Sequence, residues 1–76
     1  MTSEPVLDER GNRCPAPVIA LARAARDLPP GTGVIVLSDD PAAEFDIPAW
    51  CRMRGATLLG SADAQPGLSF HVRLPL

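Results

Sequence analysis

The residues best suited to chemistry lie close together: Arg13-Cys14-Pro15-Ala16-Pro17, running into Val18 to Leu28, a segment rich in strong helix formers. Proline has no N–H and a φ fixed near the helical value, so it is tolerated in a first helical turn, where backbone donors lack intrahelical acceptors. Pro15 and Pro17 are therefore placed in the first turn, and Cys14 at or beside the N-cap. Ser, Thr, Asp and Asn are the usual caps, so a thiol at that position calls for another reason. The partial positive charge and free N–H groups of a helix start favour thiolate over thiol and lower a cysteine pKa to about 3.5 to 7.5. Arg13 adds a full positive charge next door. The expectation is a nucleophilic sulfur on Cys14, supported by Arg13, Pro15 and Pro17.

Few other groups are placed to work with it. His71 falls on the wet face of a C-terminal strand, away from Cys14, and the chain has no lysine to act as a base or form a Schiff base. Cys51 sits among apolar neighbours in mid-helix and reads as a small hydrophobe. Cys14 and Cys51 have no C-x-x-C spacing, and one distant histidine completes no ligand set, so neither a redox pair nor a metal site is expected. Asp39 and Asp40, just before Pro41, read as a strand end and turn cap rather than as metal ligands. Without a base or resolving thiol beside Cys14, hydrolysis and dithiol redox chemistry fit poorly. A carrier whose partners bring the remaining groups meets no such objection.

Composition narrows the class further. The 76 residues are of single-domain size, assigned as residues 1–76, with a formal net charge of −2. A chain this short buries only about 60% of its surface on folding, so the core is thin. All seven cations are arginine and are interspersed with nine carboxylates, which gives no clustered surface for direct nucleic-acid binding. No apolar run is long enough to cross a bilayer, and no basic segment leads into a hydrophobic one at the N-terminus. Two cysteines are too few for a disulfide scaffold, and a cytoplasmic setting without membrane contact is expected.

The elements that must position Cys14 follow from periodicity. Met1 to Pro5 reads as a frayed end and Val6-Leu7 as a short strand, closed by the turn Asp8 to Asn12. In the first helix Val18, Leu21, Ala22, Ala25 and Leu28 recur at the spacing of one buried stripe. Pro29-Pro30-Gly31 ends it. Val34-Ile35-Val36-Leu37 is an unalternating run, which implies a central strand covered on both faces. A strand, helix and strand of these lengths form a right-handed crossover, so both strands end at one edge of the sheet and Cys14 neighbours Asp39 and Asp40. Asp46 is taken as the N-cap of a second helix with Ile47 and Pro48 in its first turn, because Pro48 would break a continuous helix from Pro41. Ile47, Trp50 and Cys51 form its packing face, and Gly55 stops it. Thr57-Leu58-Leu59 begins a third strand, Ala64 to Gly67 a turn, and Leu68, Phe70, Val72 and Leu74 alternate with polar residues along a half-buried fourth strand.

Taken together, Leu7-Asp8 with Gly11, Cys14-Pro15-Ala16-Pro17-Val18, Asp39-Asp40-Pro41-Ala42, and Asp46-Ile47-Pro48 with Trp50-Cys51 resemble the TusA/SirA-like family of sulfur carrier proteins over about residues 6 to 74. The resemblance implies an α+β fold: a two-layer β-α-β-α-β-β sandwich with a mixed four-stranded sheet and both helices on one face. The element order agrees with the reading of the residues; the face assignment comes from the family. It also implies a sulfurtransferase that accepts a persulfide on Cys14 from a cysteine desulfurase or rhodanese-type donor and relays it to an acceptor protein, with no other cofactor. Cys51 matches a cysteine that is not essential. Tasks in the family include tRNA thiolation, molybdenum cofactor assembly and sulfur oxidation. Asn12 departs from the leucine usual two residues before the cysteine.

In the corresponding mechanism the Cys14 thiolate attacks the outer sulfur of a donor persulfide. The acceptor then docks on a rim formed by the Asp8 to Arg13 loop and the Asp39-Asp40 loop. The competing reading is a non-catalytic interaction or regulatory module in which Cys14 is a tolerated capping residue with an ordinary thiol pKa.

Overall fold

Local propensities divide the chain into alternating apolar segments punctuated by Pro and Gly, and the computed structural model, which describes residues 4–76, follows that division. Its elements are β1 (Val6–Asp8), α1 (Ala16–Asp27), β2 (Gly33–Ser38), α2 (Ala43–Arg54), β3 (Thr57–Asp63) and β4 (Leu68–Arg73). The strands form one sheet in the order β1-β2-β4-β3. β1 runs parallel to β2, and the β2–β4 and β3–β4 pairings are antiparallel, so the sheet is mixed and the fold is α+β, as expected.

The period-2 alternation of side chains decides where the core lies. Val34 pairs with Val72 and Val36 with Phe70, and all four are buried. Leu21 and Ala24 of α1 and Ala43, Ile47, Trp50 and Cys51 of α2 complete this cluster, which puts both helices on the same side of the sheet. Val18, Ala22, Ala25 and Leu28 pack against it from the expected stripe of α1.

Cover on both faces of β2 is not found. Ile35 and Leu37 point to the opposite face, where Val6 is 56% exposed. β-branched residues suit a pleated backbone whether or not a second layer covers them, so the unalternating run did not report burial. His71 lies on this open face as expected, opposite Ile35, and pairs with Glu4 through Nε2 at 2.9 Å. Residues 1–3 of the supposed frayed end lie outside the described residues. Glu4 and Pro5 are engaged, since the Pro5 carbonyl accepts the Ile35 N–H at 2.9 Å.

The second helix also starts earlier than expected. α2 begins at Ala43 rather than at Asp46, and Pro48 lies inside it. Asp40 makes this possible: its Oδ1 accepts the Ala42 N–H at 2.9 Å, a turn that launches the helix before Asp46 is reached. Pro48 forfeits only the bond to the Glu44 carbonyl, and Glu44 lies on the exposed side of the helix. Glu44 and Asp46 then fall in the first turns, where carboxylates complement the helix dipole. Because β1 and β2 are parallel and each feeds a helix, both helices begin at one edge of the sheet.

Candidate functional site

Cys14 occupies that edge, one residue before Pro15, the N-cap of α1. Its N–H donates to Asp40 Oδ2 at 2.8 Å. The Asp40 N–H in turn donates to Oγ of the buried Ser38 at 3.2 Å. Asp39 Oδ1 accepts the Gly11 N–H at 2.9 Å. The two aspartates, expected as neighbours of Cys14, therefore clasp the cysteine loop to the start of α2. The donors on Asp40, first Ala42 and then Cys14, hold its carboxyl below the usual range, and the charge of Arg13 adds to this. Asp40→Ala would leave both backbone donors without their acceptor and is expected to lower stability, seen as a lower midpoint in urea denaturation.

The sulfur itself is not the low-pKa thiolate anticipated from the sequence. Cys14 is half-buried against the core, and burial first, then the nearby carboxylates of Asp46 and Asp40, push its thiol up to about 11. The prolines that start α1 explain why the helix terminus does not offset this. Pro15 and Pro17 carry no N–H, and the Ala16 N–H is already given to the Arg13 carbonyl at 2.9 Å, so few donors remain to hold an anion. Pro17 is fully buried and anchors the helix start in the core, while Pro15 is exposed. Arg13 is exposed and lines a cleft with Gly11, Asn12, Asp39, Asp40 and Pro41; its charge acts on Asp40.

A pH dependence follows. A thiol whose folded pKa is raised from 9.0 to about 11 contributes stability that is complete below pH 9 and is lost as pH rises toward 11. Burial raises Cys51 in the same direction. The chain contains no lysine or tyrosine, so these thiols are the side chains that ionise in this window. The thermal midpoint is expected to hold steady up to about pH 9 and then fall, by less in Cys14→Ala, in a pH series of thermal melts.

Asp8 is paired within its own loop and stays partly exposed. It receives Arg10 Nη2 at 2.8 Å and Nε at 2.9 Å, and these bonds lower its pKa to about 2. Arg10 Nη1 also donates to the Ala64 carbonyl at 3.2 Å, tying the cysteine loop to the β3–β4 turn. In that turn Gly67, at φ +88, sits directly against Ser38 and Asp39. Three loops thus meet at the sheet edge that carries Cys14. The sequence reading missed Asp46, Arg10 and Gly67 as parts of this assembly. For Asp46 the usable signal was the Asp40-x-Ala42 turn, which starts α2 early. Cys14 and Cys51 are both free thiols, and Cys51 is buried. Among the described residues no three His, Cys, Asp or Glu side chains converge as a metal centre requires, and no helix is long and apolar enough to cross a membrane.

Fold and site define a small α+β protein that presents one half-buried thiol where three loops meet at a sheet edge. A family model described as Sulfurtransferase TusA matches residues 6–74, nearly the whole chain. The chain belongs to the TusA sulfurtransferase family, whose role, at the level of the family, is that of a sulfur carrier relaying sulfur between proteins.

Proposed function

We propose that this protein carries a sulfane sulfur as a persulfide on Cys14, accepting it from a cysteine desulfurase or rhodanese-type donor and passing it to an acceptor protein. The observation that carries the reading is the contrast between the two thiols: Cys14 is partly exposed beside a cleft, whereas Cys51 is buried in the core. Partners dock on the rim made by the Asp8 to Arg13 loop and the Asp39-Asp40 loop. No resident metal or further cofactor is required, and the setting is the cytoplasm. Transfer toward tRNA thiolation, molybdenum cofactor assembly or sulfur oxidation is chosen by the acceptor.

The raised Cys14 pKa favours one other reading, a non-catalytic interaction module of the same fold. Incubation with cysteine and a desulfurase, followed by intact mass and peptide mapping, separates them. A reductant-reversible gain of about 32 Da on the Cys14 peptide supports the carrier. Failure with both a desulfurase and a rhodanese-type donor, with the fold intact, leaves the interaction module.

A further inference from the structure

β1 lies at one edge of the sheet, and its register with β2 decides which of its backbone groups are spare. The Pro5 carbonyl accepts the Ile35 N–H and the Glu9 N–H donates to the Leu37 carbonyl, so Pro5, Leu7 and Glu9 turn toward β2. Alternate residues of a paired strand turn the other way. The N–H and C=O groups of Val6 and Asp8 therefore point outward, with no strand beside them among the described residues. An unpaired edge is a template for a further strand unless a bulge, a charge or a cover blunts it. The opposite edge, β3, is interrupted by a shift of register between Leu58 and Gly60, whereas β1 is regular. On the helix side of β1, Leu7, Ala20, Ala24 and Leu28 line an apolar groove bounded by Arg23 and Asp27. Both charges are exposed, and among the described residues neither forms an ion pair.

We propose that two copies of this chain pair through their β1 edges, joining their four-stranded sheets into one about a twofold axis at Leu7. Self-complementarity identifies a second copy as the occupant. A twofold axis there runs the two β1 strands antiparallel, so the outward N–H and C=O groups of Val6 in one copy meet those of Asp8 in the other. Leu7 of each copy then faces the groove of the other. Because α1 packs against both β1 and β2, and paired strands lie about 4.8 Å apart, the two α1 helices come to about 10 Å, a normal packing separation. These helices are antiparallel as well. Arg23 and Asp27 stand one turn apart on the same flank, so Arg23 of each copy is brought toward Asp27 of the other. Two residues of like charge on this flank would have opposed the same axis. The two Cys14 edges fall at opposite ends of the joined sheet, so pairing leaves both thiols accessible and is independent of what they carry.

Sedimentation velocity over a wide range of concentrations, with amide hydrogen exchange read by NMR, tests the pairing. The expected result is a reversible species of twice the 8.0 kDa chain mass, in which the Val6 and Asp8 amides become protected as concentration rises. Val6→Pro removes an outward N–H that the single copy does not use, and is expected to weaken pairing about tenfold. Arg23→Asp or Asp27→Arg alone is expected to weaken it about threefold, and the two together to restore it. If Val6→Pro unfolds, as circular dichroism would show, the charge exchange decides alone. A monomer at every concentration, a dimer in which the Val6 and Asp8 amides exchange freely, or charge variants without rescue in the double exchange would overturn the proposal. A monomer in which these amides are protected only on adding a desulfurase also overturns it, and makes the edge a docking strand for that donor.

Discussion

Cys14→Ser is expected to gain no sulfur from any donor while remaining folded. A serine hydroxyl is a weak nucleophile without an adjacent general base, and no base is supplied here beyond a carboxylate. The fold should tolerate the change because serine is close to cysteine in size and the Cys14 N–H bond to Asp40 does not involve the side chain of residue 14. A stability change within about 1 kcal/mol is expected. Intact mass after desulfurase treatment, with circular dichroism on the same sample, reads both parts. Cys51→Ala serves as the control, since that thiol is buried in the core and should leave loading unchanged. Sulfur addition to Cys14→Ser would end the assignment of Cys14.

The largest expected loss of stability comes from a residue with no chemistry, Gly67. At φ +88 any side chain is strained, by roughly 1 to 2 kcal/mol. A Cβ there would also fall on the Ser38 carbonyl oxygen and lie 2.7 Å from Asp39 Cα, and these are backbone atoms that cannot swing aside. Gly67→Ala is therefore expected to cost about 3 kcal/mol or more. It should also push the β3–β4 turn off the strand end that carries Asp39 and Asp40. Gly55→Ala gives the comparison: φ is +75, but nothing lies within 4 Å of the added carbon, so only the conformational part, about 1 kcal/mol, applies. Urea denaturation of the two variants separates strain from collision.

Much of this architecture was legible because it is written in short-range pattern. Alternation from Leu68 to Leu74 marks β4 and names Phe70, Val72 and Leu74 as its inward residues, all buried. The Ala64 to Gly67 turn and the β1-α1-β2 crossover follow from Pro and Gly placement, and the crossover alone brings Cys14 to Asp39 and Asp40. What failed depended on contacts between segments. The start of α2 is set by the Asp40 side chain, so the local objection raised by Pro48 did not decide it. The open face of β2 reflects a missing layer, which a continuous apolar run does not reveal. The raised Cys14 pKa escapes a local rule about helix termini because burial of the thiol, and then the carboxylates of Asp46 and Asp40, come from packing between segments. The same two prolines that marked the helix had also removed the donors on which that rule relies.

That sparse set of donors has a consequence for any group the cysteine carries. A cradle of N–H groups would bind a charged terminal sulfur strongly, and tight binding on the intermediate would turn a way station into a sink. With Pro15 and Pro17 contributing none, α1 offers a departing anion little to hold it back. For the carrier proposed above, the direction of handover would then be set by the docked protein rather than by the grip of this site on the sulfur.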